Sequence, residues 1–170
     1  MYLEFLLLTF DYFKTLNKKK IVYEWVFPLL FALISALFFS KLDFEVYSKF
    51  KDSSLDILGV LLGFSIAIIT ILVTGSGKNL EEIKNTFTEI KINGKKTSLY
   101  ELILINFSYS VIMEILLIVG CLILPIINKI CEFSSNIKIV LYSVMVFIVL
   151  HILLLTLRNI TDFYLIITKK

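Results

Sequence analysis

Residues Leu102–Ile127 read LILINFSYSVIMEILLIVGCLILPII, and Glu114 is the single charged side chain among those 26 residues. About 20 helical residues cross the roughly 30 Å of a bilayer's hydrocarbon, so this run is long enough to span it. Its excess length has to be taken up by tilt, by a bend near Pro125, or by emergence into the headgroups. A carboxylate at that depth is costly, and by default it faces protein or water.

Three more apolar blocks lie around this run: Trp25–Ser40, Ile57–Thr74 and Ile139–Leu157, with 16, 18 and 19 residues. The first extends through Ile21–Tyr23 to the basic run Lys18–Lys20. With 58% hydrophobic residues gathered in blocks, the composition departs from that of a soluble domain. The expected fold is an all-α membrane protein, a four-transmembrane-helix bundle in a single membrane domain covering residues 1–170. Spans are expected at about 21–40, 55–74, 99–127 and 137–157, with a cytoplasmic loop at 75–98.

The cationic residues divide unevenly between the two ends of such a bundle. Lys14 and Lys18–Lys20 precede the first span, Lys78, Lys84, Lys91, Lys95 and Lys96 lie in the second loop, and Arg158, Lys169 and Lys170 lie in the tail. Only Lys41, Lys49, Lys51, Lys129 and Lys138 occupy the other end, so twelve of the 17 Lys and Arg residues share one side. The positive-inside rule then puts both termini in the cytoplasm. A cleaved signal peptide is not expected, because the charges follow the apolar Leu6–Phe10 and no small-residue cleavage site comes after them.

The flanks carry helical signals. Residues 1–20 read as an amphipathic interfacial helix, with docking under the bundle as the alternative, and 158–170 read as an amphipathic C-terminal helix. Lys20 and Glu24 are one turn apart and are expected to pair, and Trp25 sits where an interfacial anchor belongs. Ser53/Asp56 and Ser98/Glu101 have capping-box spacing, and Asn79/Glu82 is a close variant. In the second loop Leu80, Ile83, Phe87 and Ile90 recur at helical spacing. Asn93-Gly94 suits either a helix stop or a hairpin turn; the stop is expected, which makes the segment a short cytoplasmic helical hairpin.

Two ladders of small residues allow close helix approach: Ala32, Ala36 and Ser40 in the first span, and Gly59, Gly63 and Ala67 in the second. They are expected to mate within one subunit or to form a subunit–subunit contact. On the third span Asn106, Ser110 and Glu114 make a polar stripe that lipid cannot satisfy. Facing inward in an oligomer, it would place an acidic ring around a cation path. The alternative is structural, a protonated carboxyl bonded to a hydroxyl such as Ser65 or Thr70. His151, the only histidine, is a packing or interfacial group or a proton relay, and it is expected to be offset from Glu114.

Other chemistry is not expected. Cys121 and Cys131 form no metal or disulfide pattern, and Gly75-Ser76-Gly77-Lys78 lacks the earlier glycine and the following Ser or Thr of a phosphate loop. Nothing resembles a catalytic constellation, so no enzyme activity, cofactor, metal or direct nucleic-acid binding is anticipated. A small transporter is disfavoured by the absence of an internal repeat.

The Leu61–Ser65 segment (LLGFS) of the second helix, the small basic loop and the amphipathic ends together resemble membrane effectors of bacterial anti-phage systems of the Hailong and Kiwa type. The resemblance covers the architecture and carries no site residue. It implies a homo-oligomer of the bacterial inner membrane, taken as a tetramer, held closed by a soluble cytoplasmic partner and opened or signalled during infection. The functional expectation is therefore a homo-oligomeric channel or membrane-disrupting effector. The competing class is a non-conducting membrane subunit that senses or recruits a cytoplasmic partner.

Overall fold

The computed structural model describes residues 4–39 and 44–168. Readings placed on Met1–Leu3, on Ser40 and Lys41, and on Lys169 and Lys170 lie outside the described residues. The order is α1 (Glu4–Lys14), α2 (Lys18–Phe39), α3 (Phe44–Thr74), α4 (Lys78–Asn85), β1 (Phe87–Ile92), β2 (Lys95–Ser98), α5 (Leu99–Cys131) and α6 (Ser135–Thr168). Among the described residues, α2, α3, α5 and α6 are long and apolar enough to cross a membrane. Their outward faces are large and apolar, as on Leu33, Leu37, Val60, Leu122 and Ile126, which is the surface a lipid solvent requires.

Packing order differs from chain order. Helix α2 runs against α6, α3 against α5, and α5 against α6. One core cluster joins Leu58, Leu117, Cys121, Met145, Val149 and Ile152; another joins Ile68, Leu72, Ile103 and Phe107 with Ile83 of α4. The two small-residue ladders therefore do not mate. Ala32 is buried and Ala36 half-buried, whereas Gly59, Gly63 and Ala67 are exposed on the outer face of α3. A Cβ built on Gly59 or Gly63 meets nothing within 4 Å.

The second loop also departs from expectation. Helix α4 ends at Asn85, and Phe87 and Ile90 lie in a strand. Strands β1 and β2 pair antiparallel through Asn93-Gly94, whose φ values of 52° and 80° are those of a type I′ turn. Alternating β-branched residues (Thr88, Ile90, Ile92) favour the pleat, and the left-handed Asn-Gly pair closes the hairpin with the correct twist. The chain then goes straight into α5. The Ser98 hydroxyl accepts the Glu101 N–H at 3.2 Å, and the Glu101 carboxylate accepts the Ser98 N–H at 2.8 Å, so that capping box forms.

The other two boxes do not form. Helix α3 already starts at Phe44 and passes through Ser53 and Asp56, while the N-cap of α4 is Gly77 and not Asn79. No separate C-terminal helix exists among the described residues, because α6 continues unbroken to Thr168. Gly75 ends α3: a Cβ there would overlap the Ile71 carbonyl and the Leu80 side chain.

Candidate functional site

Two buried polar clusters occupy the bundle, one at mid-span and one where α1, α2 and the end of α6 converge. The mid-span cluster is built from the predicted stripe. Asn106, Ser110 and Glu114 are all buried on the face of α5 turned toward α3 and α6. The carboxylate Oε1 of Glu114 accepts from Ser110 at 3.0 Å and from Ser65 of α3 at 3.3 Å. The Ser110 oxygen lies 3.2 Å from the Thr156 hydroxyl of α6, and because Ser110 spends its proton on Glu114, Thr156 is the donor there. Ser65 is the neighbour anticipated for Glu114; Thr70 instead donates to the Ile66 carbonyl at 2.9 Å.

Glu114 is fully buried between helices of its own chain, so an acidic ring would require these helices to rearrange. A carboxyl group that ties three helices together through hydroxyls is a specific interhelical fastening.

The second cluster was largely hidden in the sequence. Glu24 lies in a π-helical turn, Val22–Val26, inside α2, and its side chain is completely buried. Its carboxylate accepts from the Arg158 guanidinium of α6, and from the Tyr12 hydroxyl of α1 at 2.5 Å. The backbone carbonyl of Glu24 accepts from His151 Nδ1 at 2.6 Å. A carbonyl only accepts, so Nδ1 carries a proton, and in the neutral ring Nε2 is then the acceptor for the Tyr109 hydroxyl 3.2 Å away.

Tyr12 stacks on Tyr109 with ring centroids 3.6 Å apart, and Trp25 lies 4.6 Å from the His151 ring. Burial and the adjacent Glu24 carboxylate push the Tyr12 phenol well above its ordinary range, which keeps it a donor. Arg158 also donates to Asn159 at 3.1 Å and lies 3.9 Å from Asp162.

The expected Lys20–Glu24 pair is thus replaced. The Lys20 ammonium instead donates to the Thr15 carbonyl at 3.3 Å. The one-turn spacing of the two residues was the visible signal, but Glu24 sits in the π turn and faces the bundle, where the planar guanidinium of Arg158 reaches its carboxylate. His151 is fully buried, makes no bond to Glu114, and serves as a bridge between α2 and α5. Helix α1 packs on the bundle through Tyr12, which is buried, while Leu7 and Phe10 stay exposed on its other face. The Lys14 ammonium completes that dock, bonding Asp11 at 2.8 Å and Asn93 of the hairpin at 3.1 Å.

Among the described residues no group of His, Cys, Asp or Glu is placed to hold a metal ion. Compared with protein-family models, curated proteins and solved structures, the chain finds no match.

Proposed function

We propose that the protein is a multi-pass membrane subunit that works through the end where α1, α4 and the β-hairpin gather, with the four spans acting as its anchor. The observation that carries this reading is that Glu114 Oε1 accepts from Ser65 and Ser110 of its own chain, with Thr156 bonded in turn to Ser110, which makes the intramembrane acid a fastening between helices. The excess of Lys and Arg in the N-terminal segment, second loop and tail supports a cytoplasmic position for that end, with both termini inside. The exposed Glu81, Glu82 and Lys84 of α4, with Glu89 and Lys91 of β1, then offer a mixed-charge surface to a soluble protein partner.

Two measurements test this. Reconstituted protein should pass no more ions than protein-free liposomes. A photo-crosslinker in place of Glu89 should give a discrete protein adduct in cells, while one in place of Ile126 gives none. A cation-selective current that falls in Glu114→Gln, or the absence of any Glu89 adduct, would overturn the proposal.

One observation favours a second reading, a homo-oligomeric channel or membrane-disrupting effector. The bare Gly59–Gly63–Ala67 face of α3 permits close contact between copies. A conducting path in such an assembly would run between protomers and not past Glu114.

A further inference from the structure

A groove of about 930 Å³ opens between α1, the β-hairpin and the first two turns of α5. Its two levels differ in chemistry. Lys95 and Lys96 of β2 stand at the rim, just ahead of α5, while Leu104 and Ile105 form the floor, already inside the apolar run of that span. Cationic groups at headgroup height above an apolar floor at acyl height match the two halves of an anionic phospholipid.

The charge balance points the same way. The groove also holds Asp11 and Glu101: Lys14 offsets Asp11 at 2.8 Å, and Glu101 keeps its charge but is held in the cap of α5 by the Ser98 N–H at 2.8 Å, so Lys14, Lys95 and Lys96 outnumber the two acids. Lys95 and Lys96 make no ion pair among the described residues. The register moreover places Lys91 directly opposite Lys96 across the hairpin. Like charges so opposed destabilise a strand pair unless an anion lies between or beside them. Among the described residues no ion pair offsets that repulsion.

We propose that this groove binds the headgroup phosphate of an anionic phospholipid from the adjoining leaflet. Lys95 and Lys96 hold the phosphate, and an acyl chain lies along Leu104 and Ile105. The bound phosphate would offset the Lys96 half of the like-charge pair and fix the hairpin against the membrane surface.

The test uses the full chain in nanodiscs of phosphatidylcholine with a minor fraction of phosphatidylglycerol, with retained lipid counted by native mass spectrometry after release into detergent. Wild type should retain phosphatidylglycerol selectively. Each lysine at a membrane surface contributes about fivefold to anionic-lipid affinity, so K95Q/K96Q should lose roughly 30-fold. The charge-matched control K49Q/K78Q, with both substitutions outside the groove, should retain it.

L104N keeps both lysines and removes part of the apolar floor; it should weaken lipid retention while leaving the bundle folded. Equal retention by wild type and K95Q/K96Q would overturn the proposal. So would equal losses in the two double variants, or displacement of the lipid by inorganic phosphate alone, which would make the groove a free-anion site. Displacement by an acidic peptide at the same concentration would instead identify a protein-docking surface and reject the lipid.

Discussion

Arg158→Met is the most informative single perturbation, because it removes the cation from Glu24 without opening a large void. Glu24 is fully buried, and the Arg158 side chain is only 13% exposed, so neither charge of the pair is well solvated. Breaking a buried pair by deleting one partner costs about 3–5 kcal/mol, since the remaining charge is left uncompensated. Tyr12 continues to donate to Glu24 but is neutral, so it offsets little of that cost. For a chain of this size, about 2–4 °C of melting temperature accompanies each kcal/mol, which gives a fall of roughly 6–20 °C. The assay is built into the molecule: Trp25 is the only tryptophan and packs against His151 and Phe13, so its fluorescence reports the cluster directly. Glu24→Gln/Arg158→Met removes both charges and should recover more than half of the loss, because a neutral pair no longer carries the burial penalty. Coupling between contacting residues reaches about 0.5–3 kcal/mol, within reach of the measurement. If the two single losses simply add in the double variant, Glu24 and Arg158 do not act as a pair and the assignment of this cluster fails.

The mid-span fastening predicts that Glu114→Gln stays within about 1 kcal/mol of wild type, whereas Glu114→Leu strands the Ser65 and Ser110 hydroxyls and costs about 1–3 kcal/mol in detergent melts. Equal effects of the two substitutions would deny Glu114 its bonding role. Gly63→Leu should leave the melting temperature of the isolated chain unchanged, since its Cβ meets open space, while a smaller detergent-solubilised particle would reveal a contact between copies; a strong loss of stability would instead mean that the ladder packs within the chain. Cys131 is exposed at the end opposite the hairpin and Cys121 is buried, so an impermeant thiol reagent should label intact spheroplasts at Cys131 and lose that label in Cys131→Ser. Labelling only after the inner face is opened would reverse the proposed orientation.

What the chain determined by itself was whatever local pattern and solvent preference control. Four apolar runs and the need of the Asn106–Ser110–Glu114 stripe for a face away from lipid follow from run length and from the intolerance of lipid for unsatisfied polar groups. Ser98 and Glu101 marked the start of α5 because a capping box is a four-residue event. The competing local readings were harder to separate. Asn93-Gly94 supports both a helix stop and a hairpin, and the choice rested on strand pairing with residues further along the chain. Ser53 and Asp56 had capping spacing, yet the helix begins earlier, at Phe44, and simply passes through them.

Only the tertiary structure decided which faces meet. Small residues permit close approach but do not name the partner, so the Gly59–Gly63–Ala67 ladder was visible although its bare outer position was not. Glu24 pairs with Arg158, 134 positions away, because it faces the bundle and α2 packs on α6; no spacing rule reaches that far. The same holds for the Tyr12–Tyr109 stack and the His151 bridge, whose partners are brought together by helix packing alone. Periodicity sets the surface each helix has to bury, but the pairing of those surfaces is a long-range choice made by charge, shape and hydrogen-bond satisfaction across the whole bundle.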